Sequence, residues 1–168
     1  MAQPDRTRLT LTLSREHGNR YLLLGSRQPA GFDLSSWGSR AQAWVAAQPY
    51  QLTMSGVLNR TADARGAEGE QPIVRIGRKS CVLPTIGAGR WTVRSRWREY
   101  EATLQAQGLD EIVVRLGRRK WQPIDIEVRG TWPARDLVVL TAAFALLARR
   151  RDDDSAAGGA AAAVVVLG

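Results

Sequence analysis

Residues 136–148 read DLVVLTAAFALLA, and three arginines follow directly at 149–151. This stretch is apolar on every side rather than along one stripe, and a helix of that kind must be enclosed by protein or lipid. At ~1.5 Å per residue it is roughly 20 Å long, which is short of the ~30 Å hydrocarbon core of a bilayer. We therefore expect a helix over about 134–149 that the rest of the chain encloses.

The acidic run 152–154 and the pair Gly158-Gly159 predict that the helix ends soon after the arginines. Residues 152–168 are then expected to form a low-complexity tail rich in alanine and glycine. The length and the hydrophobic content of 44% fit one domain over residues 1–151.

Nearly all of the chain before this helix has the pattern of short β-strands. Leu9, Leu11 and Leu13 alternate with threonines, which is the period-two signature of a half-buried strand. Residues 25–40 and the polar stretch from Asn59 to Pro72 contain many turn-forming residues and are predicted to be loops. We expect a mainly β protein in which about a dozen short strands wrap a central C-terminal helix.

The charge and the cysteine content restrict the classes of partner and compartment. A net charge of +8 favours anionic partners such as lipid headgroups, nucleic acid or phosphorylated ligands. A single cysteine, Cys81, is compatible with a reducing cytoplasm, and its apolar surroundings predict a buried side chain. We expect no secretory signal, because the first residues, MAQPDRTRLTLTLS, contain no apolar stretch. We expect no transmembrane span, because the chain has no run of ~18 apolar residues.

Arginines supply the candidate binding residues. An extended segment is predicted to have Trp91, Val93, Ser95 and Trp97 on one face and arginines on the other, with a bend or a change of register at residues 95–97. Together with Arg118, which follows a later strand, these arginines form a basic face that could hold phosphate through forked hydrogen bonds. The candidate ligand-binding residues are Arg94, Arg96, Arg98 and Arg118. The alternative is that the arginines pair with Glu99, Glu101, Glu111 and Glu127 on a solvated sheet face.

Catalytic and metal-binding patterns are not found in the sequence. His17 is the only histidine and lies in a predicted turn. Asp125 and Glu127 share a strand face and, with Arg115, define the pocket of an enzyme alternative, although cross-strand ion pairs explain them more simply. We expect no catalytic residues, no metal and no cofactor. Nucleic acid is not the expected partner, because most of the tryptophans fall at core positions.

The arrangement of a dozen short strands followed by an all-apolar helix resembles the tubby-like superfamily, which includes the LURP-one-related proteins and the phospholipid scramblases. The elements that carry this resemblance are the apolar helix that begins near Asp136 and the strand WTVRSRWREYE at 91–101. It implies a closed antiparallel β-barrel of about twelve strands around the helix. It also implies a non-enzymatic cytoplasmic protein, peripheral at a membrane, that binds anionic phospholipid, another phosphorylated ligand or a protein partner.

Three alternatives remain open at this stage. The first is a pleckstrin-homology-like module whose helix caps an open barrel end. The second is the enzyme with the Asp125, Glu127 and Arg115 pocket. In the third, residues 137–148 and 161–167 form a membrane-inserting pair.

Overall fold

The computed structural model describes residues 7–56, 60–69, 71–108 and 110–166, with the side chains of the last helix described as far as Gly158. Within these residues, twelve strands precede one helix. The strands are β1 (Arg8–Arg15), β2 (Arg20–Leu24), β3 (Ala30–Leu34), β4 (Arg40–Val45), β5 (Gln48–Ser55), β6 (Thr61–Gly66), β7 (Val74–Ile76), β8 (Ser80–Leu83), β9 (Gly87–Ser95), β10 (Glu99–Ala106), β11 (Glu111–Gly117) and β12 (Ile124–Arg129), and the helix is α1 (Arg135–Val166).

The strands form one closed antiparallel barrel. Each strand pairs with its neighbours in sequence, and β1 pairs with β12 to close the sheet, with Leu11 opposite Ile126 at the seam. Alternate residues of each strand point inward. In β10, for example, Tyr100, Ala102 and Leu104 are buried. The predicted closed β-barrel of about twelve strands is confirmed.

Helix α1 fills the barrel. Leu140 and Phe144 have no exposed surface, and the Phe144 ring meets Phe32 of β3 edge-on at 6.3 Å between ring centroids. The helix packs against β3 to β7 and against β10 and β11. The prediction that the chain's own strands enclose the apolar helix is confirmed. The proposed insertion of residues 137–148 into a membrane is therefore wrong, and the helix does not cap an open barrel end as the pleckstrin-homology-like alternative requires.

The predicted end of the helix is wrong. Helix α1 continues past residue 149 to Val166, so most of the expected tail 152–168 is helical, and residues 167 and 168 lie outside the described part. Alanine is the best helix former, which offsets the cost of about 1 kcal/mol for each helical glycine. The acidic run is also held by partners: Asp152 pairs with Arg60, and Asp153 pairs with Arg149 one turn earlier.

Two strands lie within predicted loops. β3 crosses the predicted loop 25–40, and β6 lies within the polar stretch from Asn59 to Pro72. In β6 the inward residues are Ala62 and Ala64, which are fully buried. These small side chains leave room for α1. The strand therefore lacks the large apolar residues whose alternation with polar residues would have predicted it from the sequence. Asn59 lies outside the described residues.

The prediction that the strand continues through Trp97, with a bend or a change of register at residues 95–97, is also wrong, because the chain reverses there. β9 ends at Ser95, and the chain reverses through Arg96, Trp97 and Arg98 before β10 begins. The Arg96 amide donates to the Glu99 carbonyl at 2.8 Å and closes the turn. The turn contains neither glycine nor proline, the residues that usually signal a reversal in a sequence.

Candidate functional site

The connections between strands alternate between the two ends of the barrel, because successive strands run in opposite directions. Helix α1 enters after β12 and leaves at the end that carries the β1–β2, β3–β4, β5–β6, β7–β8, β9–β10 and β11–β12 connections. We call this the exit end. It brings together residues that lie far apart in the sequence.

Basic residues are concentrated at the exit end. Among the described residues, its connections hold Arg60, Arg78, Lys79, Arg96, Arg98, Arg118, Arg119 and Lys120, against the acidic Glu16. The described connections at the opposite end hold Arg27 together with Glu68 and Asp110. The barrel is therefore electrostatically polar, with its positive end where the helix emerges.

Three tryptophans project from the exit end. Trp37, Trp97 and Trp121 are 86%, 77% and 72% exposed and lie on three different connections, β3–β4, β9–β10 and β11–β12. The expectation that Trp97 shares an apolar face with the buried Trp91 is therefore wrong, because the chain turns before it. Such high exposure is uncommon for tryptophan, which is strongly buried on average. The sequence indicates that Trp37 is exposed, because this residue lies within the turn-forming stretch SSWGS at 35–39.

The predicted arginine face is divided between two places. Arg96 and Arg98 lie on either side of Trp97 in the turn, and the Arg98 guanidinium stacks over the Trp97 ring at 4.0 Å. Arg94 lies on the outer wall of the barrel in β9, opposite Glu101 of β10. Arg96 also approaches Glu101, at 3.8 Å. Of the four candidate arginines, Arg96 and Arg98 therefore lie in a turn at the exit end, and Arg94 lies on the outer wall.

Arg118 is the fourth candidate arginine, and it holds two connections together. Its guanidinium donates to the Arg96 carbonyl at 2.5 Å and to the Ser95 hydroxyl at 3.0 Å, and it lies 4.7 Å from the Tyr100 ring centre. The pKa of Tyr100 is raised by burial and by its hydrogen bond to Asp153 of α1, against the opposing effect of Arg118. Arg118 therefore fixes the Trp97 turn to the barrel mouth.

Charged side chains of α1 anchor the helix where it leaves the barrel. The buried Arg150 donates to the Gly117 carbonyl at 2.9 Å, and burial lowers its pKa. Arg151 donates to the Ser36 carbonyl at 2.7 Å, beside Trp37. Arg150 and Arg151, which lie close to the predicted end of the helix, thus connect the middle of a longer helix to the barrel rim. The tryptophan-bearing turns are thus tied to a rigid element.

A cleft at the exit end separates α1 from the β7–β9 wall. It encloses about 970 Å³, and its lining includes Met54, Arg60, Ile76, Arg78, Lys79, Arg90, Val93, Ala145, Arg149 and Asp152. Within the helical stretch 136–148, Ala145 is the residue that is not buried. The small Ala145 side chain therefore lets the cleft reach the helix itself.

Glu127 and Arg115, two of the three residues of the enzyme alternative, are engaged in ion pairs on the barrel wall. Glu127 accepts from Arg8 and from Arg129, each at 2.7 Å. Arg115 pairs with Glu101 at 3.2 Å and lies 4.0 Å from Glu127. Asp125 is exposed on the outer wall. No group of three possible metal-ligating side chains occurs among the described residues.

Glu127 provides a test of this ion-pair network. Burial would raise its pKa, but the hydrogen bond from Arg129 and the charge of Arg8 outweigh burial, so the pKa is lowered. A lowered pKa in the folded state stabilises the protein above the unfolded value of about 4.3, and this contribution is lost as the pH falls through the folded pKa. We expect Glu127→Gln to lower the urea midpoint at pH 7, and this difference from the wild type to shrink at pH 3. The exposed Glu68→Gln variant is the control; an equal loss for Glu127→Gln at both pH values would contradict the assignment.

Cys81 is buried in β8, as predicted. Burial raises the pKa of its thiol to about 11, against a weaker effect of the Gly89 backbone. Since the thiolate is the reactive form, we expect native protein at pH 8 to resist a thiol reagent for hours and denatured protein to react within minutes. Rapid labelling of the native protein, with its circular dichroism spectrum unchanged, would disprove this prediction.

Comparisons with known proteins add no relative. No protein-family model, no curated protein and no solved structure matches this chain. Among the described residues, no helix is both long enough and apolar enough to cross a membrane. Membership of the tubby-like superfamily stays a prediction.

Proposed function

We propose that this barrel is a non-enzymatic module that docks onto anionic phospholipid surfaces through its exit end. The supporting observation is that cations and exposed tryptophans are gathered at one end of the barrel. Each Lys or Arg near an anionic membrane surface contributes about 1 kcal/mol, and tryptophan favours the interface between lipid and water. In this proposal the protein is peripheral, on the cytoplasmic side of the membrane.

The placement of the tryptophans favours a planar partner. Trp37, Trp97 and Trp121 lie on separate turns around the mouth of a barrel, and Arg118 and Arg151 fix these turns to the body. A membrane surface can meet all three at once. A single nucleic acid strand would instead need its stacking residues along one continuous groove. We therefore favour lipid over nucleic acid.

Vesicle co-sedimentation tests the proposal. We expect binding to vesicles that contain phosphatidylserine, little binding to pure phosphatidylcholine, and a decrease in binding between about 0.05 and 0.5 M salt because surface charge is screened. A single-stranded RNA competitor distinguishes the other anionic partner. Equal binding to both kinds of vesicle, or complete displacement by RNA at equal charge, would contradict the proposal.

Trp97 is expected to contribute directly to vesicle binding. Partial burial of its side chain at the interface is worth roughly 1.4 kcal/mol, so Trp97→Ala should weaken vesicle binding about tenfold. The blue shift of tryptophan fluorescence on binding should also decrease. Leu24→Ala is the control, because Leu24 is 51% exposed and lies at the opposite end of β2 from the exit end. If both variants bind like the wild type, Trp97 does not contact the membrane.

A further inference from the structure

We infer that the cleft between α1 and the β7–β9 wall is a binding subsite for a phosphomonoester, held by Arg78, Lys79 and Arg90. The inference deepens the proposed function, because a lipid headgroup is one source of such a phosphate. It concerns a concave site of defined chemistry, separate from the projecting Trp97 turn.

The cleft is lined by an excess of positive charge. Arg60 and Arg149 line the cleft but are neutralised by Asp152 and Asp153. Arg78, Lys79 and Arg90, by contrast, form no ion pair within the described part of the chain. The cleft therefore presents three uncompensated cations beside two satisfied pairs.

The barrel wall brings these cations together. Arg78 and Lys79 form the β7–β8 turn, and Arg90 lies opposite Ser80 in the β8–β9 pairing. The Trp91 amide donates to the Lys79 carbonyl at 3.1 Å, which fixes the turn against β9. Two guanidinium groups and an ammonium group thus line one cleft, and such groups bind phosphate oxygens, with arginines binding as forks.

Shape and polarity define the rest of the ligand. Met54, Ile76, Val93 and Ala145 supply an apolar lining beneath the cations. The volume of about 970 Å³ is in the range of small-molecule sites, which combine apolar walls with a few convergent polar groups. A phosphomonoester carries up to two charges and three free oxygens, which matches three cations better than a singly charged phosphodiester does. The ligand class is thus a phosphomonoester attached to a partly apolar group.

The experiment compares a cleft variant, Lys79→Ala/Arg90→Ala, with a matched variant outside the cleft, Arg96→Ala/Arg98→Ala. Both remove two cations near the exit end, and unchanged thermal midpoints show that both fold. The soluble probe is glycerol 3-phosphate, with glycerol as its control, measured by calorimetry. The membrane probes are vesicles containing phosphatidic acid, a phosphomonoester, or phosphatidylserine at matched surface charge.

We expect the wild type to bind glycerol 3-phosphate and to prefer phosphatidic acid severalfold over phosphatidylserine. The cleft variant should lose at least tenfold in affinity for the soluble probe and should lose the lipid preference. The matched variant should keep both properties, although its total vesicle binding is weaker. Two results would overturn the subsite: a cleft variant that binds glycerol 3-phosphate like the wild type, or a wild type that shows neither binding of glycerol 3-phosphate nor a preference for phosphatidic acid.

The outcomes also separate this inference from the proposed function. Binding of glycerol 3-phosphate that the cleft variant loses, without any vesicle binding, would support the subsite and reject membrane docking. The same soluble binding with equal affinity for both lipids would identify the ligand as a free phosphate compound rather than a headgroup. Vesicle binding without preference and without soluble binding would leave membrane docking in place and reject the subsite.

Discussion

Phe144→Ala is expected to lower the thermal midpoint by roughly 10–15 °C, since removing a fully buried phenylalanine costs about 3–5 kcal/mol and each kcal/mol is worth about 2–4 °C in a domain of this size. Phe144 has no exposed surface and lies at the centre of the barrel, where its ring meets Phe32. The surrounding wall is a closed ring of hydrogen-bonded strands and cannot collapse into the space left by the ring. The loss is therefore expected at the upper part of this range.

Differential scanning calorimetry measures this effect. The control is Val82→Ala, which shortens a side chain that is 50% exposed on the outer wall and should change the midpoint by a degree or two at most. A Phe144→Ala variant as stable as Val82→Ala would mean that the barrel does not depend on contact with its central helix. That outcome would contradict the packing on which the site geometry depends.

Arg98→Glu should weaken binding to anionic vesicles roughly thirtyfold. The change removes one positive charge and adds one negative charge at the exit end, which is worth about 2 kcal/mol near an anionic surface. Arg98 is exposed and stacks on Trp97, so it lies where the membrane is expected to make contact. The measurement is co-sedimentation with phosphatidylserine vesicles at low salt.

Arg27→Glu is the matched control for this prediction. It makes the same change in net charge, but Arg27 is exposed in the β2–β3 connection at the opposite end of the barrel. If binding depended only on net charge, both variants would weaken it equally. That result would contradict docking through the exit end, whereas a loss confined to Arg98→Glu would support it.

Sequence patterns were most informative where side chains are large and apolar. The alternation in Tyr100, Ala102 and Leu104 and the all-apolar stretch 136–148 predicted the strands and the buried helix correctly. Patterns were least informative where the barrel needs small residues, as at Ala62 and Ala64 of β6. There the helix occupies the space that larger side chains would fill, so an inward strand face looked like a polar loop.

The candidate site could be predicted only in part. The sequence identified Arg96, Arg98 and Arg118 as candidates but placed them on one flat strand face. In the structure, Arg96 and Arg98 lie in a turn at the exit end, and Arg118 holds that turn in place through a hydrogen bond. The three cleft cations Arg78, Lys79 and Arg90 were not among the candidates, because Arg78 and Lys79 belong to a turn and Arg90 belongs to β9, which is not the next strand along the chain. Their proximity depends on the pairing of β8 with β9.

The sequence by itself determined that a helix apolar on all sides must be enclosed, since exposing that surface to water is too unfavourable, and that strands must enclose it. Local hydrophobic pattern carries that information. The tertiary structure alone decided which connections share an end, how far the helix runs and which cations lack partners. Those properties arise because barrel closure places residues far apart in sequence at one mouth. An ion pair from Asp152 to Arg60 and a hydrogen bond from Arg150 to the Gly117 carbonyl hold the charged part of the helix there.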